Sequence, residues 1–148
     1  MILDSSTLQP PFALQECGDP EVLFFSNLQD ILEDRHDCLW GEHYVGYDAK
    51  GQKFKLQCLV EEKRKFGFLK RYVDHRKIEE IIPGFAAEEA VDMIRPWLKS
   101  LFGNLPDIAK QLPNTSSNWI DQAQLPDLLA LAIRFESIAA KTAWKAVK

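Results

Sequence analysis

The chain predicts an α+β domain, a three- to four-stranded antiparallel β-meander flanked by an N-terminal helix and two to three C-terminal helices. Three observations carry this. Phe54, Leu56, Cys58 and Val60 alternate with Lys53, Lys55 and Gln57, the period-2 pattern of a strand with one wet face. Asp48-Ala49-Lys50-Gly51 stands just before that run as a turn signal, with a glycine free to take positive φ. After Pro83-Gly84 the apolar residues change to helical spacing and keep it, with interruptions, to the C-terminus.

Taken in order, residues 1–18, with Pro10-Pro11 and Gly18, read as an irregular arm anchored by Leu8, Phe12 and Leu14; residues 19–148 read as the domain. Asp19-Pro20-Glu21 has the form of a helix start, and Phe24/Phe25, Leu28 and Ile31/Leu32 extend it as an apolar stripe to about residue 34. Residues 42–47 form the first strand of the meander. Glu62-Lys63-Arg64-Lys65 makes a charged turn, Phe66 to Val73 a third strand, and Ile78–Ile82 either a fourth strand or a short helix. Ala87, Ala90/Val91, Ile94, Trp97/Leu98 and Leu101 make the next helical stripe, which Pro96 should kink or divide. One helical turn is expected near Pro106, then a polar loop carrying Trp119. The last helix starts at Pro126 and buries Leu128, Leu131/Ala132, Phe135 and Ile138/Ala139 on one face to about residue 146.

At 148 residues, with 46% hydrophobic and 27% charged residues, the chain is long enough to bury a core without a metal or disulfide staple. No apolar run approaches the ~18–20 residues of a spanning helix, so no membrane role is expected. Cys17, Cys38 and Cys58 fit no paired-ligand spacing, and the first residues carry no basic and apolar leader pattern, which together suggest reduced thiols and a cytoplasmic location.

The chemistry-bearing motifs are few. Gly46 to Lys53 resembles a phosphate loop only in outline: Gln52 stands where lysine is needed, and a strand follows instead of a helix. His36, Asp37, Cys38 and His43 lack a second ligand pair, so no metal or other cofactor is expected. Cys58 falls on the core side of its strand, and Glu61-Glu62, Glu79-Glu80 and Glu88-Glu89 are adjacent pairs that point to opposite faces or into solvent. No catalytic residues are assigned. An enzyme of unnamed reaction is the last of three alternatives.

Charge is the more informative signal. The net charge is −4, but residues 1–49 carry ten acids and one base, whereas residues 50–80 carry ten bases and five acids. The first block suggests a protein-binding protein that meets a basic partner, in its sharpest form an immunity-type inhibitor of a toxin or nuclease. Its candidate contacts are Asp30, Glu33, Asp34 and Asp37 with the loop residue Trp119, since Trp is favoured at interface hot spots. The second block suggests the alternative, a nucleic-acid-binding module using Lys53, Lys55, Arg64, Lys65 and Arg71 with aromatics (Tyr44, Phe66, Phe68, Tyr72) interleaved. Pairing of the two blocks within one fold would produce the same gradient with no functional meaning.

Overall fold

The computed structural model describes residues 7–17, 19–33, 43–65, 69–113 and 116–147, with 59–75 and 142–147 described as backbone. The fold is α+β. Its strands are β1 (Phe12–Glu16), β2 (Val22–Phe25), β3 (His43–Tyr47), β4 (Lys53–Lys65) and β5 (Leu69–Ile81). Its helices are α1 (Leu28–Glu33), α2 (Ala87–Asn104), α3 (Pro106–Ala109), α4 (Ser117–Gln122) and α5 (Leu125–Val147). The strands form one sheet in the order β2-β1-β3-β4-β5, with every neighbour antiparallel.

The sheet therefore has two strands more on its N-terminal side than the meander alone supplies. Phe12–Glu16 is not irregular arm, because its alternation places Phe12 and Leu14 on one face and Ala13 on the other, all buried. Val22–Phe25 is strand and not helix. A short apolar run reads equally well as either, and here Val22 to Phe25 pair with Gln15 to Phe12. Asp19, expected to cap a helix, instead closes the β1–β2 hairpin, its Oδ1 accepting from the Glu21 backbone N–H at 2.9 Å. The helix begins after Asn27, whose Oδ1 accepts from the Asp30 N–H at 2.8 Å. Glu62 to Lys65 continue β4 rather than turning; of the two expected strands at 66–73 and 78–82, Leu69 to Val73 and Ile78 to Ile81 belong to a single strand, β5, and residues 66–68 lie outside the described residues. Pro96 leaves α2 a single helix; it lies on the exposed side, where the carbonyl it cannot pair faces solvent.

Both faces of the sheet are covered. On one, Ala13, Val22, Phe24 and Tyr47 pack beneath α2 and α5, whose Ala90, Ile94, Leu98, Leu128, Leu129 and Phe135 form the larger core. On the other, Phe12, Leu14, Phe25, Tyr44, Phe54, Leu56 and Cys58 are closed over by Leu8 and by Ile31 of α1. Helix α1 packs against both β2 and β5, the two edges of the sheet. Six helical residues span only about 9 Å, whereas five flat strands would place the edges roughly 19 Å apart. The sheet must curl around its second core.

Gly46 shows how tight that core is. It sits opposite Leu14 on one side and Phe54 on the other. A Cβ there would fall 2.3 Å from the Phe54 ring, which is itself fully buried edge-on against Phe12 at 6.0 Å. Overpacking of this kind costs roughly 1–3 kcal/mol, and alanine regains about 0.5–1 kcal/mol of strand entropy. Gly46→Ala is thus expected to lose about 1–2 kcal/mol in urea unfolding, and Phe54→Leu in the same chain to restore most of it.

Candidate functional site

The acidic candidates divide. Asp30 and Glu33 lie on α1, Asp30 half-buried and Glu33 exposed, while Asp34 and Asp37 lie outside the described residues. Asp30 lines a cleft of about 480 Å³ between β2, α1 and α5, walled by Leu23, Phe24, Phe25, Ile133 and Ala140. From α5, Glu136 enters the same cleft beside Ser137. Burial pushes the Glu136 carboxyl up to about 7, and the negative charge of Glu21 adds to the effect. The result is a carboxylate on an apolar wall, with a second acid as the charge acting on it.

Residue type and spacing alone do not single out Glu136, which stands in the sequence as one polar position between Phe135 and Ser137. A signal was present. Leu129, Ile133, Glu136 and Ala140 share one helical line, so an acid interrupts an otherwise apolar stripe. Trp119, expected in a loop, is on α4, half-buried against the helical core. Ser116 starts that helix, its Oγ accepting from the Trp119 N–H at 3.3 Å. Arg95 of α2 finishes it, donating from Nε to the Ile120 carbonyl at 2.9 Å and from Nη2 to that of Ala123 at 3.4 Å. Trp119 is not among the residues lining the acidic cleft.

The basic candidates also divide. The Lys53 ammonium pairs with Glu89 of α2 and lies 5.9 Å from the centre of the Tyr47 ring. Glu89 also accepts from the Tyr47 hydroxyl at 2.6 Å. Hydrogen bonds from Lys53 and Tyr47 hold the Glu89 carboxyl below its usual range; burial and the Glu89 contact raise the Tyr47 hydroxyl. Lys55 faces Glu80 across β4 and β5 at 3.7 Å. These two lysines join elements of the fold. Arg64, Lys65 and Arg71 sit at the far end of the β4–β5 pair, where Arg64 opposes Lys70, Lys65 opposes Leu69 and Arg71 opposes Lys63 in register. Eleven strand residues, roughly 36 Å, separate Lys53 from Arg64. Of the interleaved aromatics, Tyr44 is buried in the second core, and Phe66 and Phe68 lie outside the described residues.

A larger open groove, about 930 Å³, runs between the β3–β4 turn, the start of α2 and the α4–α5 junction. Phe85, 72% exposed, stands on its rim with Lys50, Glu88 and Asp92 around a floor of Ala87, Val91 and Leu125. Among the described residues, no three His, Cys, Asp or Glu side chains are grouped to hold a metal ion, and no helix is long and apolar enough to cross a membrane. No known family's sequence pattern matches the chain, and neither a curated protein nor a solved structure resembles it.

Proposed function

We propose that the protein binds another protein, a basic one, through the cleft between β2, α1 and α5. The observation that carries this reading is Glu136, a carboxylate drawn out of water onto an apolar wall and acted on by another acid. Such a group destabilises the free protein, and an incoming Lys or Arg supplies it with a countercharge. The apolar walls suit the methylene stem of that side chain, which seeks apolar surface while its head meets the acid. Asp30 on the same cleft and Glu33 on the same helix extend the negative field outward, which speeds encounter with a positive partner. In its most specific form the protein is a non-enzymatic cytoplasmic inhibitor of the immunity type, capping the basic substrate face of a toxin or nuclease.

The test is a tagged capture from the native host, with and without nuclease treatment, using wild type and the double variant Asp30→Lys, Glu33→Lys. Wild type is expected to retain one stoichiometric basic protein after nuclease, and the variant to associate with it at least about tenfold more slowly at low salt. Equal capture by the variant, or loss of every partner on nuclease treatment, would overturn the cleft as the binding site.

A further inference from the structure

We infer that the far end of the β4–β5 pair is an arm that binds the phosphate backbone of a nucleic acid. The first observation is its shape. β3 pairs with β4 only as far as Gln57, whereas β5 stays paired with β4 to Lys65. From Cys58 onward the described strand partner of β4 is β5 alone, and eight residues at about 3.3 Å each carry this two-stranded ribbon roughly 26 Å past the rest of the sheet.

The second observation is its charge in register. Lys63, Arg64, Lys65, Lys70 and Arg71 occupy the last turnward positions of the two strands, with no acid among them. Lys63 opposes Arg71, and Arg64 opposes Lys70. Like charges placed directly opposite weaken a strand pair. The same two strands show the ordinary solution nearer the sheet, where Lys55 opposes Glu80. Two successive rows of opposed bases are therefore a cost to the hairpin that an anionic ligand would relieve.

Distance keeps this charge effective in an acidic protein. The arm's length is about three Debye lengths at physiological salt, so the field of a charge at its base is largely screened at its end. Nucleic acid is favoured over an anionic membrane because successive register rows of a ribbon belong to opposite faces. A ribbon charged on both faces fits between two walls of phosphate, and a two-stranded ribbon is of the width that the DNA major groove admits. A flat lipid surface would meet one face only. The inference is independent of the acidic cleft, which involves β2, α1 and α5.

The experiment is fluorescence anisotropy of the full chain with a short labelled DNA duplex and with the matching single strand. The five bases, at a salt slope of about −0.9 per phosphate on duplex, imply affinity falling up to roughly 500-fold between about 50 and 200 mM salt. The triple variant Lys63→Gln, Arg64→Gln, Arg71→Gln should lower the slope by about 3, whereas Lys53→Gln with Lys55→Gln should change it by less than about 1. The triple variant relieves opposed charges, so its melting temperature should not fall, which separates lost binding from lost folding. No binding of either probe at about 50 mM salt would overturn the inference. So would equal binding by the triple variant, or capture by vesicles of anionic phospholipid in place of nucleic acid.

Discussion

Asp48→Ala is expected to be the most damaging single substitution in the turn region, lowering stability by about 3–5 kcal/mol. Asp48 is fully buried, and its carboxylate accepts three backbone N–H groups: Gln9 at 2.9 Å on Oδ2, and Lys50 at 2.9 Å and Gln52 at 2.7 Å on Oδ1. Those donors belong to different parts of the chain. The Gln9 contact, with the Ala49 N–H on the Gln9 carbonyl, ties the N-terminal segment to the β3–β4 turn. The Lys50 and Gln52 contacts shape the turn itself, where Gly51 takes a φ of +87°. Gly51 in turn accepts from the Ala86 N–H at the start of α2, and a Cβ on it would lie 2.7 Å from the Ala87 backbone. Alanine at position 48 strands all three donors, at about 1–3 kcal/mol each before relaxation. In urea the midpoint should fall by roughly 2 M. Asp48→Asn separates the roles: its remaining oxygen still serves Lys50 and Gln52, but its amide meets the Gln9 N–H donor to donor. Hydrogen exchange should then quicken at Gln9 and Ala49 while the turn amides stay protected. Uniform quickening at all four amides would show that the turn does not depend on the carboxylate in this way.

Much of this architecture could be read from residue patterns, and the failures have physical causes. Period-2 alternation over residues 53–60 and the Asp48–Gly51 turn located the β3–β4 hairpin, and the stripe from Leu128 to Ile138 located α5. Each pattern there is long enough to exclude the other periodicity. Val22-Leu23-Phe24-Phe25 is four residues of unbroken apolar chain, which suits a strand buried on both faces as well as a helix. Only pairing with β1, which the four residues by themselves do not reveal, decides it. Asp19-Pro20-Glu21 misled for a related reason, since the same side-chain acceptor that caps a helix also closes an Asx turn. The site was less legible than the fold. Charge counts by sequence block grouped Lys53 and Lys55 with Arg64 and Arg71, yet the structure gives the first pair acidic neighbours from α2 and β5 and carries the second pair away along the ribbon. Glu136 depends on burial, which a one-residue departure from an apolar stripe hints at and only tertiary packing creates.

Glu136→Gln should make the protein more stable at pH 8 and no more stable at pH 4. The folded-state carboxyl is raised from its ordinary 4.5 to about 7, so between those values the folded protein holds a proton that the unfolded chain gives up. Stability therefore falls as pH rises through this window and stays lower above it. The sign is opposite to that of a carboxylate in an ion pair. A shift of this size, discounted for the cleft's contact with solvent, amounts to about 2 kcal/mol at pH 8. Glutamine keeps the shape and never ionises, which should raise the melting temperature at pH 8 by roughly 4–8 °C and flatten its fall between pH 5 and 8. Glu21→Gln should act in the same direction but less, since burial is the larger cause and Glu21 the smaller. Parallel melting-temperature curves for wild type and Glu136→Gln would remove the desolvated acid from the account of the cleft. A partner that supplies a Lys or Arg reverses the balance, because its cation favours the ionised form and binding then releases a proton near pH 7. Glu136→Gln should accordingly be the more stable protein and the weaker binder, with the loss of affinity growing as pH rises from 6 to 8. Stability given up at one carboxylate and recovered only in a complex is what separates a binding cleft from an ordinary gap between β2 and α5.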